Sequence, residues 1–313
     1  MTKFAFIFPG QGSQFIGMGK ELADAFPEAK AVFEEVDTAL GQNLSGLIWS
    51  GDEEELKLTS NTQPALMTVS VAAIRALEAK GLPIDKAAFV AGHSLGEYSA
   101  LAASGAISVA DAARVLRIRG NAMQAAVPPG HGAMAALLGA DPDQAAQVCA
   151  IGAADGVCEI ANDNAPGQIV ISGDKAAVEL AASKVSEVRV KKAMLLPVSA
   201  PFHCSMMLPA ANEMSRALAE IEIKAPTVPL VANVTAEPTS DPSAIRQQLV
   251  EQVTGQVRWR ESVLFMAAQG VDLFVEAGAG KVLSVMNRRT VKDVEGITLG
   301  TAEEVESVAE RLG

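Results

Sequence analysis

Ser94 lies in the pentapeptide Gly92-His93-Ser94-Leu95-Gly96, between an apolar run from Phe89 and a helix-compatible segment from Glu97 to Ala103. A strand that reverses straight into a helix crowds its own backbone. Glycines on both sides of the serine relieve that crowding while the hydroxyl projects outward, the arrangement of a nucleophile elbow. The helix start also leaves N–H groups unpaired beside the hydroxyl, so the Leu95 N–H can stabilise an oxyanion. A serine needs a base to take its proton, and the chain holds three histidines, His93, His131 and His203. His93 adjoins Ser94, where neighbouring side chains diverge, and His131 sits in a separate part of the chain. His203 is therefore the best base, with a satisfied structural histidine as the competing reading.

Two further residues bear on chemistry. Gln11 follows the first apolar strand in Pro9-Gly10-Gln11-Gly12-Ser13-Gln14. Loops at the carboxyl edge of a parallel sheet gather around ligands, so its backbone N–H can join that of Leu95 in an oxyanion hole; an ordinary Gly-rich turn is the plainer reading. Arg119 shares a helical stripe with Ala112, Val115, Leu116 and Met123. A guanidinium on an apolar stripe requires a carboxylate or a polar cavity, and its fork fits a carboxylate bidentately. That carboxylate belongs either to the protein or to a substrate. Arg114 and Arg117 face elsewhere.

These residues must be placed by an α/β fold. Phe4 to Phe8 is uninterruptedly apolar, as in a strand buried on both faces of a parallel sheet. Helices are expected over Glu28 to Leu40, over Pro64 to Lys80 with Thr62 as cap and Pro64 in the first turn, and from Val109 to about Met123 behind the capping box Ser108 to Asp111. From 127 to 198 the pattern is β-α-β-β-α-β: a strand at His131 to Leu138, a helix at Pro142 to Ala150, strands at Val157 to Ala161 and Gln168 to Ser172, a helix at Asp174 to Ser186 and a strand at Val188 to Leu196. A helix from about Met207 to Ile221 follows, then strands at Pro229 to Val234 and Asp272 to Glu276, each leading into a helix. The expected architecture is a large hydrolase-like domain with a parallel sheet and a nucleophile elbow, residues 1–126 and 199–313, plus an inserted ferredoxin-like domain, residues 127–198.

Composition bounds the function. The 313 residues carry a formal charge of −12, one Tyr and two Trp, which argues against a nucleic-acid partner. Cys149, Cys158 and Cys204 are odd in number and scattered, so neither a disulfide framework nor a metal site is indicated. No signal peptide or membrane span is evident, and a cytoplasmic enzyme acting as a monomer is expected.

Four motifs taken in order, Phe8-Pro9-Gly10-Gln11-Gly12-Ser13-Gln14, Gly92-His93-Ser94-Leu95-Gly96-Glu97, Arg119 with Gly120 and Met123, and Ser199-Ala200-Pro201-Phe202-His203, resemble those of the malonyl-CoA:acyl carrier protein transacylases and the related acyltransferase domains of polyketide and fatty acid synthases. The resemblance spans nearly the whole chain. It implies ping-pong transfer of malonyl from CoA through Ser94 to the phosphopantetheine thiol of an acyl carrier protein, for fatty acid synthesis, with His203 as base and then acid. In that family Arg119 would pair with the malonyl carboxylate, a backbone carbonyl near Gln252 would orient the histidine, and Asn162 and Asn164 would line the cleft. Leu95 and Phe202 match the malonyl-type pattern, and bulk at Phe202 would exclude an extra methyl. The CoA thioester is a substrate, and no cofactor is implied. Gln256 and Ala279 stand where the family usually has proline. An acidic carrier calls for a local basic rim, for which Lys184, Arg189, Lys191, Lys192, Arg288 and Arg289 are the candidates. A serine esterase or thioesterase would use the same elbow, an acyltransferase for polyketide synthesis the same motifs, and a non-catalytic carrier-binding subunit would need neither Ser94 nor His203.

Overall fold

A computed structural model describes residues 2–198 and 200–313; Ser199, in the fourth motif, lies outside the described residues. In chain order the strands are β1 (Phe4–Phe8), β2 (Phe89–Gly92), β3 (Gly132–Leu138), β4 (Cys158–Ala165), β5 (Gln168–Asp174), β6 (Lys192–Leu195), β7 (Leu230–Val231), β8 (Pro238–Thr239), β9 (Leu273–Ala277) and β10 (Glu295–Leu299). They form two sheets, ordered β10-β9-β1-β2-β7-β8 and β4-β5-β3-β6.

The larger sheet is parallel except for β8. All five residues of β1 are buried, with Phe4, Phe6 and Phe8 in the core on one face and Ala5 and Ile7 in the core on the other. That two-sided burial accounts for the unbroken apolar run. The chain moves from β1 outward to β2 on one side and returns to β9 on the other, so the order reverses at β1 and opens a crevice at the strands' carboxyl ends. Phe8 is in register with Gly92, which sets the loops carrying Gln11 and Ser94 side by side.

The second sheet is antiparallel, and its order β6-β3-β5-β4 is the 4-1-3-2 order of a ferredoxin-like unit. Helices Pro142–Gly152 and Lys175–Ser183 pack on the face bearing Ala135, Leu137, Ile169 and Ile171. Strand β4 ties this sheet to the rest of the molecule. Val257 donates its N–H to Ala161 O at 2.8 Å and accepts from Asp163 N at 2.9 Å, while Arg260 binds the buried Asp163 carboxylate bidentately, with a shortest contact of 2.6 Å.

Several elements depart from the sequence reading. The long helix spans Thr59–Ala79, so Pro64 lies in its second turn and Thr62 is no cap. The extra turn forms because Asn61 Nδ2 and Thr62 Oγ1 donate to the carbonyls of Glu55 and Leu56, an anchoring invisible to local propensity. The helix expected over Asp174 to Ser186 stops at Ser183 and gives way to a 3₁₀ turn, Val185–Val188, which shortens the last small-sheet strand to Lys192–Leu195. The helix expected from Met207 starts at Leu208 after another 3₁₀ turn. Strand β7 has two residues and is followed by antiparallel β8 before helix Pro242–Thr254 begins. The three cysteines are free and buried, and among the described residues no helix is long and apolar enough to cross a membrane.

Gly120 shows how Arg119 is brought to the crevice. Its helix, Val109–Ala125, crosses Thr59–Ala79 so closely that a Cβ on Gly120 would lie 2.6 Å from Ser60 Cα and 2.7 Å from Thr59 O. Gly120→Ala forces these two backbones apart, so denaturant unfolding should show a loss of about 1–3 kcal/mol. Wild-type stability in that variant would mean that the helices separate freely.

Candidate active site

The elbow is built by close backbone approach. A Cβ on Gly92 would lie 1.9 Å from the Gly96 carbonyl group, and one on Gly96 would lie 2.3 Å from Phe8 O. Ser94 itself takes φ 53°, a left-handed conformation rare for a residue with a side chain. Asn233, just beyond β7, clamps the turn. Its Oδ1 accepts from Ser94 N at 2.8 Å and its Nδ2 donates to Gly92 O at 2.7 Å.

Ser94 Oγ stands 2.8 Å from His203 Nε2, across 109 residues of sequence. The other ring nitrogen, Nδ1, is 2.8 Å from the main-chain carbonyl of Gln252. A carbonyl can only accept, so Nδ1 carries the proton and Nε2 is free to receive that of the serine. His203, like Ser94, has positive φ, at 58°. Burial, with the Arg119 charge as a second cause, pushes its pKa down to about 3 against the opposing Gln252 bond. The imidazole is therefore neutral throughout the physiological range, with its Nε2 lone pair free to accept a proton.

Arg119 is fully buried and belongs to the same cluster. Its Nη1 donates to Gln63 Oε1 at 2.8 Å, and its Nη2 donates to Gln252 Oε1 at 2.9 Å and Ser94 Oγ at 3.1 Å. The guanidinium lies 5.6 Å from the centroid of the buried Tyr98 ring. Among the described residues no carboxylate is ion-paired with it, and its Nε is buried without a hydrogen-bond partner. Desolvation lowers its pKa, outweighing the opposing influence of the nearby Tyr98 and Glu97. Gln252 is the hub. Its carbonyl holds His203, its Oε1 holds Arg119, and its Nε2 donates to Ser94 O and to Glu97 Oε2, both at 2.9 Å. Burial pushes the Glu97 carboxyl up to about 7, although hydrogen bonds from Gln252 and the Asn233 N–H favour its charged form.

A cleft opens over these groups. Gln11, Ser94, Leu95, Arg119, Phe202 and His203 line its floor, Met134, Asn162, Asn164 and Val170 come from the small sheet, and Val282, Leu283 and Met286 close the opposite side. Gln11 and Leu95 both line the cleft, and neither backbone N–H makes a backbone hydrogen bond among the described residues. Asn164 Oδ1 meets His93 Nε2 at 2.8 Å, which engages the ring nitrogen of His93, and the buried Asn162 lines the wall. His131 is exposed and lies apart from the cleft. Helix Val282–Thr290 is held by Glu276, whose carboxylate accepts from Leu283 N at 2.9 Å and Ser284 N at 2.7 Å. Ala279 sits between two positive-φ glycines, Gly278 and Gly280, so the turn retains glycine where its backbone demands it.

Sequence reasoning missed Gln63, Asn233, Tyr98 and Glu97. Glu97 alone left a signal, an acid in a helix otherwise made of small and apolar residues. The other three lie in segments whose local pattern accounts for them without a site.

The acyl transferase domain family matches residues 5–309. The chain is 46% identical over 313 residues to the malonyl CoA-acyl carrier protein transacylase of Bacillus subtilis, covering 100% of this chain and 98% of the relative. It is 48% identical over 292 residues to that of Escherichia coli K12, covering 93% and 94%. Among solved structures, the acyl-carrier-protein S-malonyltransferase of Bartonella henselae superposes with a TM-score of 0.97 at 55% identity, covering 100% of both chains. A malonyl-transacylase in complex with a type II polyketide synthase acyl carrier protein superposes at 0.95 with 40% identity, covering 99% of this chain and 100% of that one.

With the ring buried beside a cation, an NMR titration of His203 in the substrate-free protein should show no protonation between pH 8 and pH 5. An ordinary imidazole is mostly protonated at the lower limit. A midpoint near 6.5 would contradict the burial argument.

Proposed function

Because the chain belongs to the acyl transferase domain family, and relatives over nearly its full length are named malonyl transacylases, we propose that it transfers malonyl from malonyl-CoA to the phosphopantetheine thiol of an acyl carrier protein. The observation that carries this reading is Arg119. A buried cation that no carboxylate contacts among the described residues, whose guanidinium reaches the nucleophile itself, calls for a substrate that brings a carboxylate. The malonyl carboxylate would dock on that guanidinium and set the thioester carbonyl beside Ser94 Oγ.

In the first half-reaction His203 Nε2 takes the Ser94 proton as Oγ bonds to the thioester carbon. The oxyanion is received by the Gln11 and Leu95 N–H groups. Collapse breaks the carbon–sulfur bond, and the CoA thiolate leaves with the proton from His203. The carrier thiol then gives its proton to His203 and attacks the malonyl ester, and Ser94 recovers its proton. The exchange is redox-neutral and isoenergetic in kind, thioester for thioester, and asks for no cofactor. Substrate binding also assists the base. A carboxylate on Arg119 offsets the positive charge that helps depress His203, so the imidazolium becomes easier to form when the correct acyl group is present. The product is a chain-extender unit for fatty acid synthesis; the same chemistry would serve a polyketide carrier. The unit from 127 to 198 acts as the cleft wall.

The carrier surface we favour is basic and adjoins that wall. Lys192 is opposite Leu138 and Leu138 opposite Gln168, so the three share one face with the cleft residues Met134 and Val170. Arg289 donates to Gln168 Oε1 at 3.2 Å, which extends the basic face onto the large sheet's side. Lys184 caps the end of helix Lys175–Ser183, which packs on the sheet's other face, and is paired with Glu187.

Intact-mass analysis after mixing with malonyl-CoA should show a malonyl adduct that is absent in Ser94→Ala and is discharged faster by carrier than by water. Rapid discharge by water alone would identify a hydrolase. Arg119→Ala should lower acylation by malonyl-CoA about tenfold to a hundredfold more than acylation by acetyl-CoA; equal losses would make the arginine structural. Joint reversal of Lys191 and Lys192 to Glu should raise the apparent KM for carrier several-fold at low salt and leave malonyl-CoA hydrolysis unchanged. An unaltered KM would remove both lysines from the docking surface.

A further inference from the structure

We infer that Glu97 is a positioning residue, which acts through the Gln252 carboxamide to hold Arg119 against the nucleophile and so sets the enzyme's preference for acyl groups that end in a carboxylate. The inference rests on the reading of Arg119 as the partner of the substrate carboxylate. Glu97 itself faces no ligand: it lines none of the cleft described above.

Every residue of helix Gly96–Ala103 is buried, and Glu97 is its one charged side chain. A buried carboxylate is costly unless its oxygens are satisfied, so its presence needs a cause. Its position in the first helical turn favours negative charge, but that does not explain why an acid stands there rather than a small residue. Among the described residues no cation is in ion-pair contact with it, although the Arg119 charge favours its ionised form. Its partners are the Asn233 backbone N–H at 3.1 Å and Gln252 Nε2 at 2.9 Å, and both belong to the machinery around Ser94.

The consequence follows from what a carboxamide can do. Arg119 can only donate, so Gln252 must turn Oε1 toward it, and Nε2 then needs acceptors on its other side. Glu97 Oε2 and Ser94 O, both at 2.9 Å, are the close acceptors, and Asn233 Oδ1 lies farther off at 3.4 Å. Glu97 thus fixes which way the amide faces and anchors the oxygen on which Arg119 rests. The Gln252 carbonyl that holds His203 is secured differently, by its place in helix Pro242–Thr254. Loss of Glu97 should therefore fall on the Arg119 arm more than on the His203 arm, which makes it a defect of selectivity rather than of acylation in general.

The test is the ratio of Ser94 acylation rates with malonyl-CoA and acetyl-CoA, followed by intact mass, in Glu97→Leu, Glu97→Gln and Arg119→Ala. Glu97→Leu fills the space without an acceptor, and the ratio should fall about tenfold, the loss expected when one hydrogen bond supporting a charged group is removed. Glu97→Gln keeps an acceptor oxygen and should restore the ratio to within about threefold of wild type. A Glu97→Leu variant that loses both activities equally, or keeps the ratio, overturns the inference. If that variant does not fold, Glu97→Asp withdraws the acceptor by one methylene, and an unchanged ratio there overturns it as well. Arg119→Ala separates the two levels: if it leaves the ratio unchanged, the reading of Arg119 fails. If it collapses the ratio while the Glu97 variants do not, only the role of Glu97 fails.

Discussion

Arg119 is a cation sealed inside the protein with amides, a hydroxyl and an aromatic ring around it and, among the described residues, no acid in contact. Desolvating a guanidinium is expensive, and neutral hydrogen bonds offset only part of that expense. The site tolerates the deficit because Gln63, Gln252 and Ser94 all turn oxygen toward the cation. The surrounding fold follows from that demand. Gly120 lets two helices meet so that Gln63 reaches Nη1, and the end of helix Pro242–Thr254 delivers Gln252 to Nη2. A carboxylate arriving in the cleft would complete the charge balance, so the desolvation deficit of the guanidinium would become binding energy for one class of acyl group.

A second constraint is backbone strain at the two reacting residues. Ser94 and His203 both occupy the left-handed region, which costs a residue with a Cβ on the order of 1–3 kcal/mol. Such conformations persist only where the surroundings over-determine them. At Ser94 the surroundings are the glycine contacts of the elbow and the Asn233 clamp; at His203 they are the Gln252 carbonyl and the serine itself. The strain holds Oγ and Nε2 within hydrogen-bonding distance before any substrate binds, and that preorganisation lowers the reorganisation left for the chemical step.

The small antiparallel sheet completes the site without contributing to the proton transfer. Its helices cover one face, and the other face, with Met134 and Val170, forms an apolar wall. The Asp163–Arg260 pair and the backbone bonds to Val257 hold this wall against the large sheet, and Asn164 binds His93 next to the nucleophile. A wall fixed at its β4 edge can exclude water from a malonyl ester, and slow discharge by water is what separates a transferase from a hydrolase with the same serine and histidine.

Much of the chemistry was legible along the chain because strong local physics enforces it. A strand–turn–helix reversal admits little but glycine around its serine, an uninterrupted apolar pentapeptide cut off by Pro-Gly suits an interior strand, and an arginine on an apolar stripe must meet a polar partner. The β-α-β-β-α-β order of the small unit was readable for the same reason, since periodicities of two and 3.6 survive without tertiary contacts. Element ends were less legible: Asn61 and Thr62 extend a helix past Pro64 by binding carbonyls of the preceding segment, and no window of sequence reports such a bond. Of the partners of the reacting groups, the resemblance implied only the main-chain carbonyl near Gln252; the side-chain contacts were decided by tertiary structure. Gln63, Asn233 and Gln252 are neutral amides with no pattern of their own, and what each does depends on which way its carboxamide faces. That direction is set by donors and acceptors 19 to 158 residues away, which meet only when the chain has folded.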